Sequence, residues 1–304
     1  MEFLHRDRQL FKDVIDVTVY QTGVSAAVVE KDYYVTMILK YLAEKFDFIV
    51  FKGGTSLSKC HKVIERFSED IDLTIDTSLT QGQKKMVKAA IVEIVELMGL
   101  EIVNQEDIRS RRDYNCYAIA YNSVLPSIVE TVQPTVLVET SYIAVSFPTN
   151  VLKVGNYIGE TLEEEAQALV EKYSLAPFEM KVQGIDRTLV DKVFALCDYY
   201  LLDNVKKHSR HIYDIYKLLP LIAINDEYKA LVEEVRAIRE KSSVCPSARN
   251  EVDISSILKE MIDLAIYKDD YENLTEKLLE EKVTYEMAIT ALKKLAELYQ
   301  KECL

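Results

Sequence analysis

Glycine and proline are scarce in this chain, at 8 and 6 of 304 residues, and no low-complexity stretch occurs. Such a composition predicts little disorder. No apolar run approaches the roughly 20 residues that a membrane-spanning helix needs. Residues 1–13 (MEFLHRDRQLFKD) are too charged for the apolar core of a signal peptide. We therefore expect a cytoplasmic protein without a membrane segment.

Metal-type cysteine spacing is also missing. The five cysteines are scattered and contain no CxxC pair: Cys60, Cys116, Cys197, Cys245 and Cys303. An odd, irregular set predicts reduced thiols that fill the core.

Positive charge is in deficit, with 37 Lys and Arg against 50 Asp and Glu and a formal net charge of −13. That balance argues against non-specific binding of nucleic acid over the whole surface. It leaves room for local basic sites. Two clusters are candidates for phosphate contacts or plain solvated faces: Arg109, Arg111 and Arg112, and then Lys206, Lys207, His208, Arg210 and His211.

The chain is organised around residues 46–76 (FDFIVFKGGTSLSKCHKVIERFSEDIDLTID). The apolar run up to Phe51 predicts a buried strand, and Gly53-Gly54 end it. Thr55-Ser56 then predict helix caps, with a helical pattern continuing through Ile64. In the strand that follows, alternation predicts Ile71, Leu73 and Ile75 on one face and Asp70, Asp72 and Thr74 on the other.

Two carboxylates at i and i+2 of a strand point the same way, and each raises the pKa of the other. A hard divalent cation such as Mg²⁺ satisfies them, because it takes one or two carboxylates and keeps other positions for water and phosphates. A glycine turn and a helix start upstream offer N–H groups to phosphate oxygens. An EF-hand is excluded because Ile75 stands where its glycine is needed, and no GxGxxG occurs. The pattern predicts phosphoryl or nucleotidyl transfer.

These residues resemble the polymerase-β-type nucleotidyltransferase superfamily, whose motif is a Gly-Gly or Gly-Ser turn, a helix and Asp-x-Asp on a strand. GGTSLSK followed by RFSEDIDL is similar, more narrowly, to the AbiEii toxin family of bacterial abortive-infection and toxin–antitoxin systems. Fifteen residues separate Gly54 from Asp70, which is long for the motif. We expect extra helix length to absorb them.

The superfamily places a third carboxylate on a neighbouring strand. Glu139 is our candidate, because it alone brings a charge into the strand pattern TVLVETSY (135–142). A buried strand tolerates a carboxylate only when it is paired or bound to metal. Glu130 is the alternative, although its place between Pro126 and Pro134 predicts a loop. The resemblance thus implies Asp70, Asp72 and Glu139 as ligands of Mg²⁺ or Mn²⁺.

The resemblance carries further expectations. Gly53, Gly54, Thr55 and Ser56 are expected to cradle the phosphates of a nucleoside triphosphate. Lys192, in a stretch similar to the family's E-K-L with Asp191 replacing the Glu, is expected to meet those phosphates. RHIYDIY (210–216) resembles the family's RDLYDLY-like motif, so Arg210 is a phosphate or structural partner and Asp214 a base or an orienter of Lys192. The alternative is an Arg210–Asp214 pair at i,i+4 on a solvent face.

Residues 30–33 (EKDY) match an EKDYW-like stretch that precedes the family's core, and a helix with buried tyrosines explains them equally well. The expected fold class is α+β, with a small mixed polymerase-β-like sheet and flanking helices. We expect an N-terminal helical segment over 1–45, the nucleotidyltransferase core over 46–158 and a helical C-terminal domain over 159–304.

The residues themselves predict a metal-dependent nucleotidyltransferase. The resemblance further implies a toxin that transfers nucleotides to an RNA acceptor, notably the tRNA 3′ end, and that has a cognate antitoxin. Two alternatives remain at this point. One is a nucleotidyltransferase acting on a small molecule or a protein hydroxyl, and the other is a catalytically idle nucleotide-binding regulator.

Overall fold

The structure, a computed structural model, describes residues 2–66, 68, 70–110, 112–126 and 132–300. These residues divide into two compact units. The sheet unit contains the described residues of 1–61 and 68–183. The helical unit contains those of 62–66 and 184–300.

The sheet unit is built on seven strands in the spatial order β3-β4-β5-β2-β1-β7-β6. Three central strands carry the predicted motif, because β2 pairs antiparallel with β1 and parallel with β5. The strands are β1 (Ile49–Lys52), β2 (Ile71–Ile75), β3 (Glu101–Ile102), β4 (Tyr114–Ala120), β5 (Thr135–Val145), β6 (Thr149–Val154) and β7 (Phe178–Gln183).

Helices pack against this sheet, and the helices and strands together form the hydrophobic core of the unit. The longest, α2, buries twelve of its residues, including Tyr33, Met37 and Leu39. Thr80 and Gln83 form a reciprocal capping box at the start of α4. The helices are α1 (Arg8–Thr22), α2 (Ala26–Lys45), α3 (Gly53–Lys59), α4 (Gln81–Met98), α5 (Tyr157–Leu162) and α6 (Gln167–Lys172).

The helical unit consists of helices packed around a core that includes Val193, Phe194, Ile212 and Leu292. Polar side chains cap several helix starts, for example Asn225 and Thr284. The helices are α7 (Ile185–Leu201), α8 (Arg210–Leu218), α9 (Asp226–Arg239), α10 (Ile254–Asp263), α11 (Lys268–Asp270) and α12 (Tyr285–Leu298). A mixed sheet with helices and a separate helical unit confirm the expected α+β class.

The expected core boundary at residue 158 is too early. Strand β7 lies inside the sheet, parallel to β1, so the sheet unit continues to residue 183. Its pattern FEMKVQ does alternate, with Met180 and Val182 buried, but six residues between helical patterns are a short signal. The N-terminal segment is likewise part of the sheet unit and not a region of its own.

The expected helix through Ile64 is also wrong. Helix α3 ends at Lys59, and Lys62 adopts a left-handed backbone conformation with φ of 54°. Residues 62–66 then belong to the helical unit, where Arg66 pairs in an antiparallel bridge with Leu279. The fifteen residues between Gly54 and Asp70 are therefore absorbed by a segment of the other unit and not by helix length.

None of the helices in the described part of the chain combines the length and the apolar composition that a membrane crossing requires.

Candidate active site

Four side chains form one row across the middle of the sheet. Lys52 on β1 is in register with Asp72 on β2, Asp72 with Glu139 on β5, and Glu139 with Cys116 on β4. Residues in register on adjacent strands project from the same face. All four are half-buried, while Ile71 and Leu73 are buried on the opposite face, as alternation predicted. Asp70, also half-buried, lies two residues before Asp72.

The turn after β1 presses directly on the central carboxylate of this row. Gly53 has φ of +78°, a conformation that favours glycine. A Cβ built on Gly53 would stand 2.7 Å from Cγ and 3.0 Å from Cβ of Asp72, and it would overlap the carboxylate oxygen Oδ2. Glycine at this position lets the backbone touch the Asp72 side chain. Sequence reasoning assigned that freedom to the approach of a ligand, and the structure assigns at least part of it to Asp72.

Glu139 is the carboxylate of the row whose ionisation is disfavoured. Burial raises the pKa of its carboxyl, and the negative charge of Asp72 raises it further, while Lys52 opposes both effects. Burial, together with the charges of the same carboxylates, raises the pKa of the Cys116 thiol to about 11. Burial and Glu139 also raise the pKa of Tyr114, which lies on the same face of β4 and is 47% exposed. A bound cation would relieve this accumulation of negative charge.

The donor chemistry fits a divalent metal, with one qualification from geometry. Among the residues that the structure describes, no three His, Cys, Asp or Glu side chains converge to hold an ion. Mg²⁺ needs only one or two carboxylates, since substrate phosphates and water complete its octahedron. The Asp72–Glu139 pair supplies that number. Glu130 lies outside the described residues, as do Phe67 and Glu69 of the motif.

The start of α3 differs from the predicted cap. Lys52 and not Thr55 or Ser56 is the N-cap residue, and its side chain makes no capping hydrogen bond. Ser56 Oγ donates to the Gly53 carbonyl oxygen at 2.9 Å, and Thr55 Oγ1 lies 3.0 Å from Ser68 Oγ. Both hydroxyls are therefore engaged within the sheet unit. What the turn offers to a phosphate is the backbone N–H groups of the first turn, beginning with Gly53 and Gly54.

The charged side chains of the EKDY stretch bind other segments of the sheet unit. Glu30 is 1% exposed and accepts hydrogen bonds from Ser123 Oγ and from the N–H of Val124. Asp32 pairs with Lys59, the last residue of α3, and accepts from the N–H of Tyr157. These contacts favour a structural role for Glu30 and Asp32 over a catalytic one.

A second cluster lies in the helical unit. Asp214 on α8 is fully buried and is held by two cations. Arg66 binds it through two nitrogens, Nε to Oδ1 at 2.7 Å and Nη2 to Oδ2 at 2.8 Å, and Lys192 Nζ reaches Oδ2 at 2.6 Å. Burial alone would raise the pKa of Asp214, but the charges of Arg66 and Lys192 outweigh it and hold the pKa below its ordinary range. The solvent-face alternative for Asp214 is therefore wrong.

Neighbours of this cluster fix its geometry. His211 Nδ1 stands 3.4 Å from Lys192 Nζ, and burial and the charge of Lys192 hold the pKa of His211 well below its ordinary value. The imidazole is thus neutral, and Nδ1 can accept a hydrogen bond from the Lys192 ammonium. Arg210, at the start of α8, adds positive charge near Lys192. The structure places Lys192 and Asp214 in direct contact.

Sequence reasoning missed two residues that take part in these arrangements. Lys52 was overlooked because it ends an apolar strand, although its place directly before Gly53 could have indicated a role. Arg66 lies between the expected helix and the expected strand, and no role was predicted for it. Its contact with Asp214 spans 148 residues and therefore leaves no local pattern. The basic cluster near Arg109 contacts nearby carbonyl oxygens, those of Ile108 and Asp107 among them, and Arg111 lies outside the described residues.

Comparisons with known proteins identify the fold and the family. No curated protein matches the chain. Among solved structures, MenT4, a nucleotidyltransferase toxin from Mycobacterium tuberculosis H37Rv, is similar with a TM-score of 0.57 and 16% identity, over 96% of this chain and 89% of that one. At that identity the likeness shows the fold. The family described as "Nucleotidyl transferase AbiEii toxin, Type IV TA system" matches residues 38–294. The chain therefore belongs to the AbiEii family of nucleotidyltransferase toxins of type IV toxin–antitoxin systems.

Proposed function

We propose that the protein transfers nucleotides from a nucleoside triphosphate to an RNA acceptor, in the first place the 3′ end of tRNA. The observation that carries the proposal is the row in which Asp72 and Glu139 stand in register beside the Gly53 turn. Nucleotides added to a tRNA 3′ end would block aminoacylation and stop translation. That outcome fits a cytoplasmic toxin restrained by a separately encoded antitoxin.

Asp72 and Glu139, with Asp70 beside them, would hold Mg²⁺ or Mn²⁺. When bound, such an ion neutralises triphosphate charge and lowers the pKa of an attacking hydroxyl. The first-turn N–H groups of α3 would bind phosphate oxygens, since the N-cap side chain does not occupy them. Lys52, in register with Asp72, would limit the repulsion between the carboxylates and the incoming phosphates.

Lys192 and Arg210 remain proposed phosphate contacts, and Asp214 the residue that orients Lys192. Lysine suits this role as a point charge for phosphate. The Asp214 carboxylate fixes Lys192 Nζ at 2.6 Å, which lowers the number of positions that the long side chain can adopt. Lys192→Ala should weaken nucleotide binding in equilibrium titrations with a non-hydrolysable triphosphate. Unchanged affinity would assign Lys192 to the stability of the helical unit alone.

The direct test incubates the protein with bulk tRNA, Mg²⁺ and each α-labelled nucleoside triphosphate in turn. Asp72→Asn should abolish labelling. Asp76→Asn is the matched control, because it makes the same change four residues further along the chain, at a residue that pairs with Lys181. Labelling by Asp72→Asn would move the metal site elsewhere.

The acceptor is tested in the same experiment. Label on tRNA that depends on Asp72 would support both the chemistry and the acceptor. Label on a small molecule or on protein, with none on tRNA, would keep the metal site and refute the RNA acceptor; the net charge of −13 makes this the second candidate. Binding of nucleotide without any transfer would favour an idle regulator.

A further inference from the structure

The end of α7 and the loop that leads to α8 combine an aromatic stack with exposed positive charge. The rings of Tyr199 and His208 lie parallel, with centroids 3.5 Å apart and an angle of 8° between their planes. Both side chains are half-buried, whereas Lys206 and Lys207 beside them are exposed. We call these four residues, Tyr199, Lys206, Lys207 and His208, the aromatic–basic patch.

The loop that carries the patch is held in place. Asp270 accepts two backbone hydrogen bonds, from the N–H of Lys207 at 2.8 Å and from that of Ser209 at 3.1 Å. Ser209 Oγ lies 2.7 Å from Thr275 Oγ1, and both residues are buried. Lys207 adopts a left-handed conformation with φ of 68°, which a non-glycine residue takes at an energetic cost. The backbone on both sides of His208 is therefore anchored to Asp270.

Charge on the loop runs against that of the protein. Residues 202–210 (LDNVKKHSR) contain three cations and the single carboxylate of Asp203, in a chain whose net charge is −13. Burial and the neighbouring Arg210 lower the pKa of His208, so its ring is neutral at physiological pH and contributes a face rather than a charge. The Nδ1 atom of His208 is buried and has no hydrogen-bond partner among the described residues. A hydrogen bond from this nitrogen therefore does not account for a histidine at this position.

Proteins that bind single-stranded nucleic acids combine these two elements, aromatic faces for unpaired bases and cations along the backbone. We propose that the aromatic–basic patch is a binding site for single-stranded RNA, with His208 and Tyr199 as the stacking platform and Lys206 and Lys207 as phosphate contacts. The proposal deepens the proposed transfer to RNA by naming a binding site for it on the helical unit. Binding is measured without transfer, so either proposal can fail alone.

The test measures fluorescence anisotropy of a short labelled single-stranded RNA with the full chain, without nucleotide or divalent cation, over a series of salt concentrations. The double variant Lys206→Gln, Lys207→Gln should bind more weakly. Its slope of log K against log salt should be smaller by about 1.4, because each lost contact with a single strand contributes about 0.7. The matched control is Lys293→Gln, Lys294→Gln, two exposed lysines on α12, whose slope should equal that of the unaltered protein.

The stacking half of the proposal is tested separately. His208→Gln keeps a polar side chain but removes the ring, and affinity should fall about tenfold, within the range measured for lost base stacking. Urea unfolding of each variant verifies that it is folded. The unaltered protein should also prefer single-stranded RNA to a duplex of the same sequence, because paired bases cannot stack on the platform.

Three results would overturn the proposal: no RNA binding by the unaltered protein at low salt, equal losses in the patch and control pairs, or equal affinity of His208→Gln. Patch-dependent binding without any labelling of RNA would leave the binding site and refute the transfer. Equal labelling of RNA by the unaltered protein and by the patch variants would support the transfer and refute the binding site.

Discussion

Replacement of Gly53 by alanine tests whether the turn positions the Asp72 carboxylate. The added Cβ would lie 2.7 Å from Asp72 Cγ, whereas non-bonded carbons settle at about 3.5–4.0 Å. Because Asp72 is the more flexible partner, its carboxylate must move by about 1 Å. A displacement of that size in a catalytic group can reduce the rate about hundredfold. We therefore expect Gly53→Ala to lose nucleotidyl transfer by about that factor.

The backbone contributes a second cost that a control can remove. Alanine in the left-handed region costs roughly 1–2 kcal/mol of folding stability. Gly99, the C-cap of α4, has a similar φ of +68°, but a Cβ there would meet nothing within 4 Å. Gly99→Ala should therefore lose a similar free energy of unfolding and keep its transfer activity.

The assay compares urea unfolding and labelled nucleotide transfer for both variants. Similar destabilisation with a selective loss of transfer in Gly53→Ala is the expected result. If Gly53→Ala transferred nucleotides as fast as Gly99→Ala, contact with the turn would not determine the position of Asp72, and the reasoning would be refuted.

Three other predictions concern the two clusters. Asp214→Asn should lower the free energy of unfolding by about 3–5 kcal/mol, because it leaves Arg66 and Lys192 buried without their carboxylate. The pKa of Asp214 is depressed, so its contribution to the free energy of unfolding is present above the unfolded carboxyl pKa of about 4 and is lost as pH falls. Urea unfolding at graded pH should therefore show a weaker loss of stability in acid for the variant than for the unaltered protein. An equal loss would contradict the assignment. Lys192→Met should cost less stability than Asp214→Asn in the same assay, since Arg66 still binds both carboxylate oxygens; a larger cost would contradict this. Glu139→Gln should raise the free energy of unfolding of the metal-free protein, because it removes a carboxylate whose charge burial and Asp72 disfavour. The same variant should bind Mg²⁺ at least about tenfold more weakly by calorimetry. If Glu139→Gln were less stable than the unaltered protein in the presence of EDTA, Glu139 would not be a destabilising charge.

Local patterns predicted the parts of the site that lie within one strand or one turn. Alternation fixed the face of Asp70 and Asp72, and a lone charge in an apolar strand identified Glu139, which is in register with Asp72. The partners across strands could not be predicted in this way. The place of Lys52 in the row depends on the antiparallel pairing of β1 with β2, and register between strands is set by the whole sheet.

The unusual spacing of the motif has a structural cause that explains why helix length was the wrong expectation. After α3 the chain supplies residues 62–66 to the helical unit, where the N–H of Glu65 donates to Tyr213 Oη at 2.8 Å and Arg66 binds Asp214. Four residues after Arg66, Asp70 is back in the sheet unit. Arg66 and Asp70, four residues apart, thus lie in different units. The spacing between Gly54 and Asp70 is long because it includes this segment, and a deletion of residues 62–66 would remove the bidentate partner of Asp214.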